Sequence, residues 1–100
     1  MEKYKVILYP RAFRDVEDIY AYIANSKLEP AIAKNQTDRI WDALKALEIM
    51  PDSHQDRLVG RFANKGYKQL IIDNFIAIYK IDDINRKVYI LTIQYGGRDI

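Results

Sequence analysis

The chain begins with a short apolar run and then changes period. Residues 4–9 are rich in β-branched and aromatic side chains and are stopped by Pro10, which predicts a first strand. From Pro10 the apolar residues recur at spacings of three and four, with acidic residues near the start, which predicts an amphipathic helix of about four turns. The apolar positions of this helix are Phe13, Val16, Ile19, Tyr20 and Ile23.

A second helix is predicted to begin at Pro30, because the missing N–H of proline is no loss in a first helical turn. Residues 25–29 before it are suited to caps and turns, and Pro51 is expected to end the helix. One side of the helix carries Ala33, Thr37, Ile40, Trp41, Leu44 and Leu47. Two helices with so short a link should form an antiparallel hairpin.

Strand patterns return after an irregular connection over residues 52–65. Three strands are predicted at 67–72, 75–81 and 87–94, and residues 73–74 suit a two-residue turn between the first two. The last two strands carry apolar side chains on both faces, so they should lie in the middle of a sheet. The order β-α-α-β-β-β predicts one α+β domain over residues 1–100. In it a helical hairpin packs on one face of a four-stranded, mainly antiparallel sheet.

Composition narrows the class of protein. The 100 residues are 49% hydrophobic and 30% charged, which suits one compact domain with a single core and excludes a disordered chain. The absence of cysteine excludes disulfides and thiol chemistry. No apolar run approaches the ~20 residues that span a bilayer, and residues 1–4 lack the features of a signal peptide. We therefore expect a soluble, cytoplasmic protein that does not associate with membranes.

Charge is distributed unevenly although the total is only +2. Residues 1–56 hold eight basic and ten acidic side chains, whereas residues 57–100 hold eight basic and four acidic ones. The first part therefore carries −2 and the second part +4. If the two parts form different layers, one face of the domain should be electropositive.

The common catalytic motifs are absent from the sequence. It has no glycine-rich phosphate loop, no H-E-x-x-H and no G-x-S-x-G, and we expect no cofactor and no metal. His54 lies in a polar loop without an evident partner, which favours a solvent-exposed histidine over a catalytic one. Asp82 and Asp83 are interpreted as solvated loop residues rather than as a carboxylate pair for metal or acid–base chemistry.

The residues from 93 to 100 form the most distinctive segment. A strand runs into two glycines, which release the chain from the sheet, and Arg98 follows them. A cation there can bind a phosphate or a carboxylate, but Arg98 could equally pair with Asp99 or with an acidic helix residue. Tyr95 either closes the edge of the core, which is the favoured interpretation, or presents its phenol to a ligand.

Three further cations, Lys68, Lys80 and Arg61, should add positive charge to the sheet layer. Such residues more often form a solvated face, unless aromatic side chains stand among them to stack on bases. Lys68 and Arg61 are nevertheless kept as candidates for contact with a target.

Several weak motifs coincide in order and spacing. They are Ala12, Asp15, Ile19 and residues 22–24 in the first helix, the helix end at 47–51, residues 66–67, the strand at 74–82 and the terminal residues 97–99. Together they resemble the RelE/ParE superfamily of toxins from bacterial type II toxin–antitoxin modules, over nearly the whole chain.

This resemblance implies two possible activities. In the endonuclease branch, sheet cations hold messenger RNA while a C-terminal Tyr or His serves in acid–base or stacking roles. Lys68 and Tyr95 fall at matching places, and Arg98 matches the terminal arginine of the family. Other expected sheet cations are replaced by apolar residues around Leu70 and Ile76. The resemblance is therefore closer to the ParE branch, which binds DNA gyrase without cleaving a bond.

We accordingly predict the growth-inhibiting toxin of a plasmid-stabilisation-type module, with Arg98, Tyr95, Lys68 and Arg61 contacting gyrase. The first alternative is a ribosome-dependent mRNA interferase that blocks translation, with Tyr95, Arg98 and Lys68 as catalytic residues. The second is a non-toxic partner in antitoxin binding or autoregulation. Of these three alternatives only the mRNA interferase is an enzyme, so the sequence leaves open whether the protein has a catalytic activity.

The resemblance also implies a cognate antitoxin encoded by an adjacent gene, in a toxin–antitoxin hetero-oligomer. An exposed sheet edge and an apolar groove beside the helical hairpin can accept a strand or an amphipathic helix. An acidic antitoxin would complement the +4 charge of residues 57–100.

Overall fold

A computed structural model describes residues 3–26, 30–58, 62–63 and 65–95. The elements are β1 (Lys5–Leu8), α1 (Pro10–Ser26), α2 (Pro30–Ala46), a 3-10 turn (Pro51–Ser53), β2 (Lys68–Ile72), β3 (Phe75–Asp82) and β4 (Lys87–Tyr95). This order confirms the predicted α+β class with its helical hairpin. Neither of the described helices is long and apolar enough to cross a membrane.

The four strands form one mixed sheet in the order β1-β4-β3-β2. β1 runs parallel to β4, whereas β3 is antiparallel to both β2 and β4. The two strands with apolar residues on both faces are the central ones, as predicted. The turn between β2 and β3 is also confirmed, and its residue Asp73 has a positive φ of 55°, a conformation that aspartate tolerates better than most side chains.

The second helix ends earlier than the position of Pro51 predicts. It stops at Ala46, where the N–H groups of Leu47 and Glu48 donate to carbonyls three residues back, at 3.1 and 3.0 Å. These tighter bonds satisfy the last helical carbonyls before the proline is reached. The Glu48 carbonyl in turn accepts the N–H of Tyr4 at 2.8 Å, which ties the start of the chain to the end of α2.

The core lies between the helical hairpin and one face of the sheet. It contains Tyr4, Ala12, Val16, Ile40, Leu44, Leu47, Leu70, Ile72, Ala77, Tyr79, Val88, Ile90 and Ile93. Because side chains alternate along a strand, the presence of Ala77 and Tyr79 in this core places Ile76 and Ile78 on the opposite face of β3. All the positions predicted for the buried side of α2 are buried except Trp41, which is half-buried against the core.

A β-bulge interrupts the pairing of β3 with β4. Tyr79 pairs with Ile90 and Ile78 pairs with Thr92, so Leu91 is an extra residue on β4. The bulge resets the alternation of side chains, because Ile90 and Ile93 both lie in the core although they are three residues apart. The pattern of apolar and polar residues does not predict this bulge.

Candidate functional site

Tyr95 is the last residue of β4, and its ring lies at the end of the sheet. It pairs with Phe75 across the strands, and the two ring centroids are 5.9 Å apart at an interplanar angle of 77°. Its exposed fraction is 53%. The favoured interpretation, burial at the core edge, is therefore wrong: the ring leans on Phe75 while its remaining surface is accessible.

Lys68 lies away from Tyr95. It pairs with Tyr79, whereas Tyr95 pairs with Phe75, so the two residues are separated along β3 by four positions, or about 13 Å at the usual rise of a strand. The Lys68 ammonium is 3.0 Å from a carboxylate oxygen of Asp56 and donates to the His54 carbonyl at 3.3 Å. With its side chain only 21% exposed, Lys68 is held by the protein itself.

Arg98 and Arg61 lie outside the described residues. Their roles in contacting a target stay predictions from the sequence and the family resemblance. Of the four candidate residues, the structure thus describes Lys68 and Tyr95, and it does not bring these two together.

The two apolar positions singled out on the sheet differ in their surroundings. Leu70 packs in the core between sheet and helices, so a cation at this position could not face a ligand. Ile76 lies on the face turned away from the helices and is half-buried. The interpretation of Leu70 as a replaced ligand-binding position is therefore wrong, and that of Ile76 remains compatible with the fold.

Lys80 does have aromatic neighbours. Its ammonium lies 5.6 Å from the centroid of the Tyr89 ring, which also contacts Tyr9 at a centroid distance of 5.9 Å. The three side chains line an open groove of about 770 Å³. Asp82 and Asp83 line the same groove, and their carboxylates offset the positive charge that a phosphate backbone requires.

The acidic pair has structural partners. Asp82 accepts hydrogen bonds from the backbone N–H and the side-chain amide of Asn85, at 3.1 and 2.8 Å, and these bonds hold its pKa below the usual value. Asp83 accepts the Tyr4 hydroxyl at 2.6 Å, which raises the pKa of that phenol. The two residues are thus more than solvated loop acids. Across the described ranges, no cluster of three or more His, Asp or Glu side chains could hold a metal ion.

His54 packs on the sheet and is only half-exposed. Its ring meets Tyr79 edge-on, with centroids 6.4 Å apart and an interplanar angle of 83°. The Tyr79 hydroxyl donates to the Pro51 carbonyl at 2.6 Å, and burial raises its pKa. The prediction of a solvent-exposed histidine is therefore wrong, because the ring packs against Tyr79.

Asp15 bonds to β4 at the bulge, a role that the predicted elements do not include. One oxygen of its carboxylate accepts the Thr92 hydroxyl at 2.5 Å and the Ile93 N–H at 2.9 Å. A usable signal was present, because Asp15 lies beside the buried residues Ala12 and Val16 in α1, where an acidic side chain needs a partner.

Comparison with known proteins identifies a protein family that matches most of the chain. A family model described as "ParE toxin of type II toxin-antitoxin system, parDE" matches residues 6–100. No curated protein matches the chain.

Solved structures share the fold. A chromosomal ParDE TA system from P. aeruginosa superposes with a TM-score of 0.77 at 18% identity, covering 93% of this chain and 96% of that one. The toxin–antitoxin complex RelBE2 from Mycobacterium tuberculosis gives 0.62 at 22% identity, covering 95% and 93%. The archaeal RelE–RelB complex from Pyrococcus horikoshii gives 0.67 at 15% identity, covering 96% and 98%. At these identities the likeness shows the fold alone.

Proposed function

The chain belongs to the ParE toxin family of type II toxin–antitoxin systems, and from this premise we propose that it stops bacterial growth by binding DNA gyrase. The observation that carries the proposal is the arrangement of Lys68 and Tyr95. The Lys68 ammonium is bound by Asp56, and the strand position of Lys68 lies about 13 Å along β3 from that of Tyr95, whose ring is exposed.

RNA cleavage makes demands that this arrangement does not meet. Stabilising a phosphodiester transition state takes several cations around one phosphate, and an acid or base within hydrogen-bond reach of the reacting atoms. Lys68 is bonded to Asp56 and lies four strand positions along β3 from Tyr95, so the two side chains are not assembled around one phosphate. Recognition of a protein surface needs only accessible anchors close together, and tyrosine and arginine are frequent anchors. Tyr95 is exposed, and Arg98 follows it by three residues.

We propose an antitoxin as a second partner, because the three similar structures above are toxin–antitoxin systems. The helical hairpin offers the apolar surface for it. Phe13 and Tyr20 are exposed on one side of α1, and Phe13 contacts Trp41 of α2 with centroids 5.7 Å apart. An amphipathic helix of the antitoxin fits such a surface, and the gene beside this one is the place to look for it.

The test is induced expression in a bacterium with DNA and protein synthesis labelled separately, together with a supercoiling assay on purified gyrase. We expect an early fall in DNA synthesis and inhibited supercoiling. Arg98→Ala should remove both effects without lowering the melting temperature. Lys5→Ala is the matched control, because it removes an exposed cation that pairs with Lys87 at the start of β4, whereas Tyr95 is the last residue of that strand.

Two outcomes would overturn the proposal. An early fall in protein synthesis with cleaved messenger RNA would identify an mRNA interferase instead. Growth without any inhibition would favour a non-toxic partner in antitoxin binding or autoregulation.

A further inference from the structure

The bulge in β4 decides which face of the sheet Tyr95 takes. With regular alternation, Ile90 on the helix-packed face would be followed on that face by residues 92 and 94. The extra residue Leu91 shifts the pattern, so that Ile93 enters the core and Tyr95 lies on the same side as Phe75. Without the bulge, Ile93 would leave the core and Tyr95 would point to the opposite face.

Ile90 is the last residue of β4 that pairs with β1, and beyond it a helix supplies the hydrogen-bond acceptor. The Ile93 N–H donates to Asp15, as does the hydroxyl of Thr92, whose exposed fraction is 1%. Asp15 cannot follow β4 if the strand slips, because its neighbour Val16 is anchored in the core. The Asp15 carboxylate therefore keeps its position on α1, and its hydrogen bonds stabilise β4 only in the bulged register.

We infer that Asp15 is a positioning residue, which holds the bulge and thereby presents Tyr95 to the target. The effect on inhibition rests on the proposed function. The effect on the placement of Tyr95 rests on the geometry alone, so the two can be tested apart.

One carboxylate oxygen accepts both bonds, which makes a graded set of variants possible. Asp15→Ala removes the acceptor altogether. Asp15→Asn keeps a carbonyl oxygen at the same place and should rescue most of the effect. Thr92→Val removes the hydroxyl and leaves the Ile93 N–H bonded. Asp18→Ala is the charge control, because Asp18 is exposed on the same helix.

Placement is measured by NMR on the purified chain. In Asp15→Ala we expect the Ile93 amide to lose at least about tenfold of its protection from hydrogen exchange, since the lost bond has a charged acceptor. Contacts between the Phe75 and Tyr95 rings should disappear from the nuclear Overhauser spectrum. Asp15→Asn and Asp18→Ala should retain both signals, and Thr92→Val should lie in between. Unchanged ring contacts in Asp15→Ala would overturn the inference.

Inhibition of purified gyrase is measured at a temperature where every variant is folded. Asp15→Ala should be at least about tenfold weaker than the unmodified chain, whereas Asp15→Asn should stay within about threefold. Val88→Ala serves as a stability control, because it removes buried volume from the part of β4 before the bulge. If Asp15→Ala inhibits as well as Val88→Ala at an equal loss of melting temperature, Asp15 is only structural. If the unmodified chain does not inhibit gyrase, the proposed function fails, and the NMR result still decides the placement of Tyr95.

Discussion

In the half of the sheet that runs from Tyr79 to the turn between β3 and β4, polar groups are bonded to one another. The Tyr79 hydroxyl donates to Pro51 and the Tyr4 hydroxyl to Asp83. At the opposite end, Tyr95 is half-exposed, and the nearby ion pair between Arg39 and Asp73 has an arginine side chain that is 67% exposed. We refer to these regions as the turn end and the Tyr95 end. The difference indicates that the turn end holds the fold together, whereas the Tyr95 end is available for recognition.

The largest effect on stability should come from the turn end. Tyr79→Ala removes a fully buried ring and the hydrogen bond to Pro51, and we expect the free energy of unfolding to fall by about 3–5 kcal/mol. Urea denaturation followed by circular dichroism measures this change. A loss below about 1 kcal/mol would contradict the assignment of the turn end as the stabilising region.

Tyr95→Ala should separate binding from stability. The ring contacts Phe75 at the sheet edge, so its loss should cost no more than about 1.5 kcal/mol of unfolding free energy. Growth inhibition should weaken at least about tenfold, since an exposed anchor is removed. Tyr22→Ala is the matched control, because Tyr22 is also exposed but lies on α1. Full inhibition by the Tyr95 variant would remove this residue from the proposed site.

Alkaline pH should weaken the turn end. Burial raises the pKa of Tyr79, and the hydrogen bond to Asp83 raises that of Tyr4, so the folded chain favours both neutral phenols. The unfolded phenols ionise near pH 10. The stability that this preference contributes is therefore complete below about pH 10 and decreases as the pH rises above it.

Tyr79→Phe tests the larger part of this effect. At pH 7 it should lose about 1–3 kcal/mol of unfolding free energy, because the Pro51 carbonyl loses its donor. Its unfolding free energy should then fall less steeply than that of the unmodified chain above pH 10. Urea titrations at several pH values measure both slopes, with Tyr22→Phe as control. Equal slopes in the unmodified chain and Tyr79→Phe would show that Tyr79 does not titrate on unfolding.

Lys68→Met should have a small effect, although the sequence places Lys68 among the candidate site residues. Its partner Asp56 is largely exposed, so the pair should contribute no more than about 1 kcal/mol to stability. Inhibition of gyrase should be unchanged, because the ammonium is already bound within the turn end. Loss of inhibition at unchanged melting temperature would bring Lys68 back into the site.

The smallest expected effect is a change in the pKa of one side chain, Asp82. Hydrogen bonds from Asn85 keep the pKa of Asp82 below its usual value, so the carboxylate is favoured in the folded chain and this preference is lost only in acid. In Asn85→Ala the pKa of Asp82, measured by NMR titration of the carboxyl carbon, should rise toward the usual value. An unchanged pKa would mean that other groups hold the carboxylate.

Local patterns were sufficient to predict the elements and the central position of β3 and β4. Residues 75–81 and 87–94 carry apolar side chains on both faces, and only an interior strand can bury both. Pro51 predicts an end of α2 that is too late, because the turn at Leu47 depends on hydrogen bonds between backbone groups, which the side-chain pattern does not encode. The place of β1 beside β4 depends on pairing between distant segments, which local periodicity does not encode.

The candidate site was predictable only in part. The sequence singles out Tyr95 by its position before two glycines, and the structure adds that its ring is accessible. The bulge was not predictable, because residues 88–93 are nearly all apolar and carry no alternation from which a change of face could be recognised. Residue type and family resemblance point to Lys68, whereas its bond to Asp56 depends on the fold of the connection before β2.

The position of β1 beside β4 affects how the chain folds during its synthesis on the ribosome. Residues 5–8 are synthesised before the other described strands, and their strand partner in the described sheet is residues 87–90, roughly 80 residues later in the chain. β1 therefore has no strand partner until β4 has been synthesised, and pairing across so long a stretch of chain is slow to form. The complete sheet, and with it the surface that carries Tyr95, can therefore form only after β4 has left the exit tunnel of the ribosome.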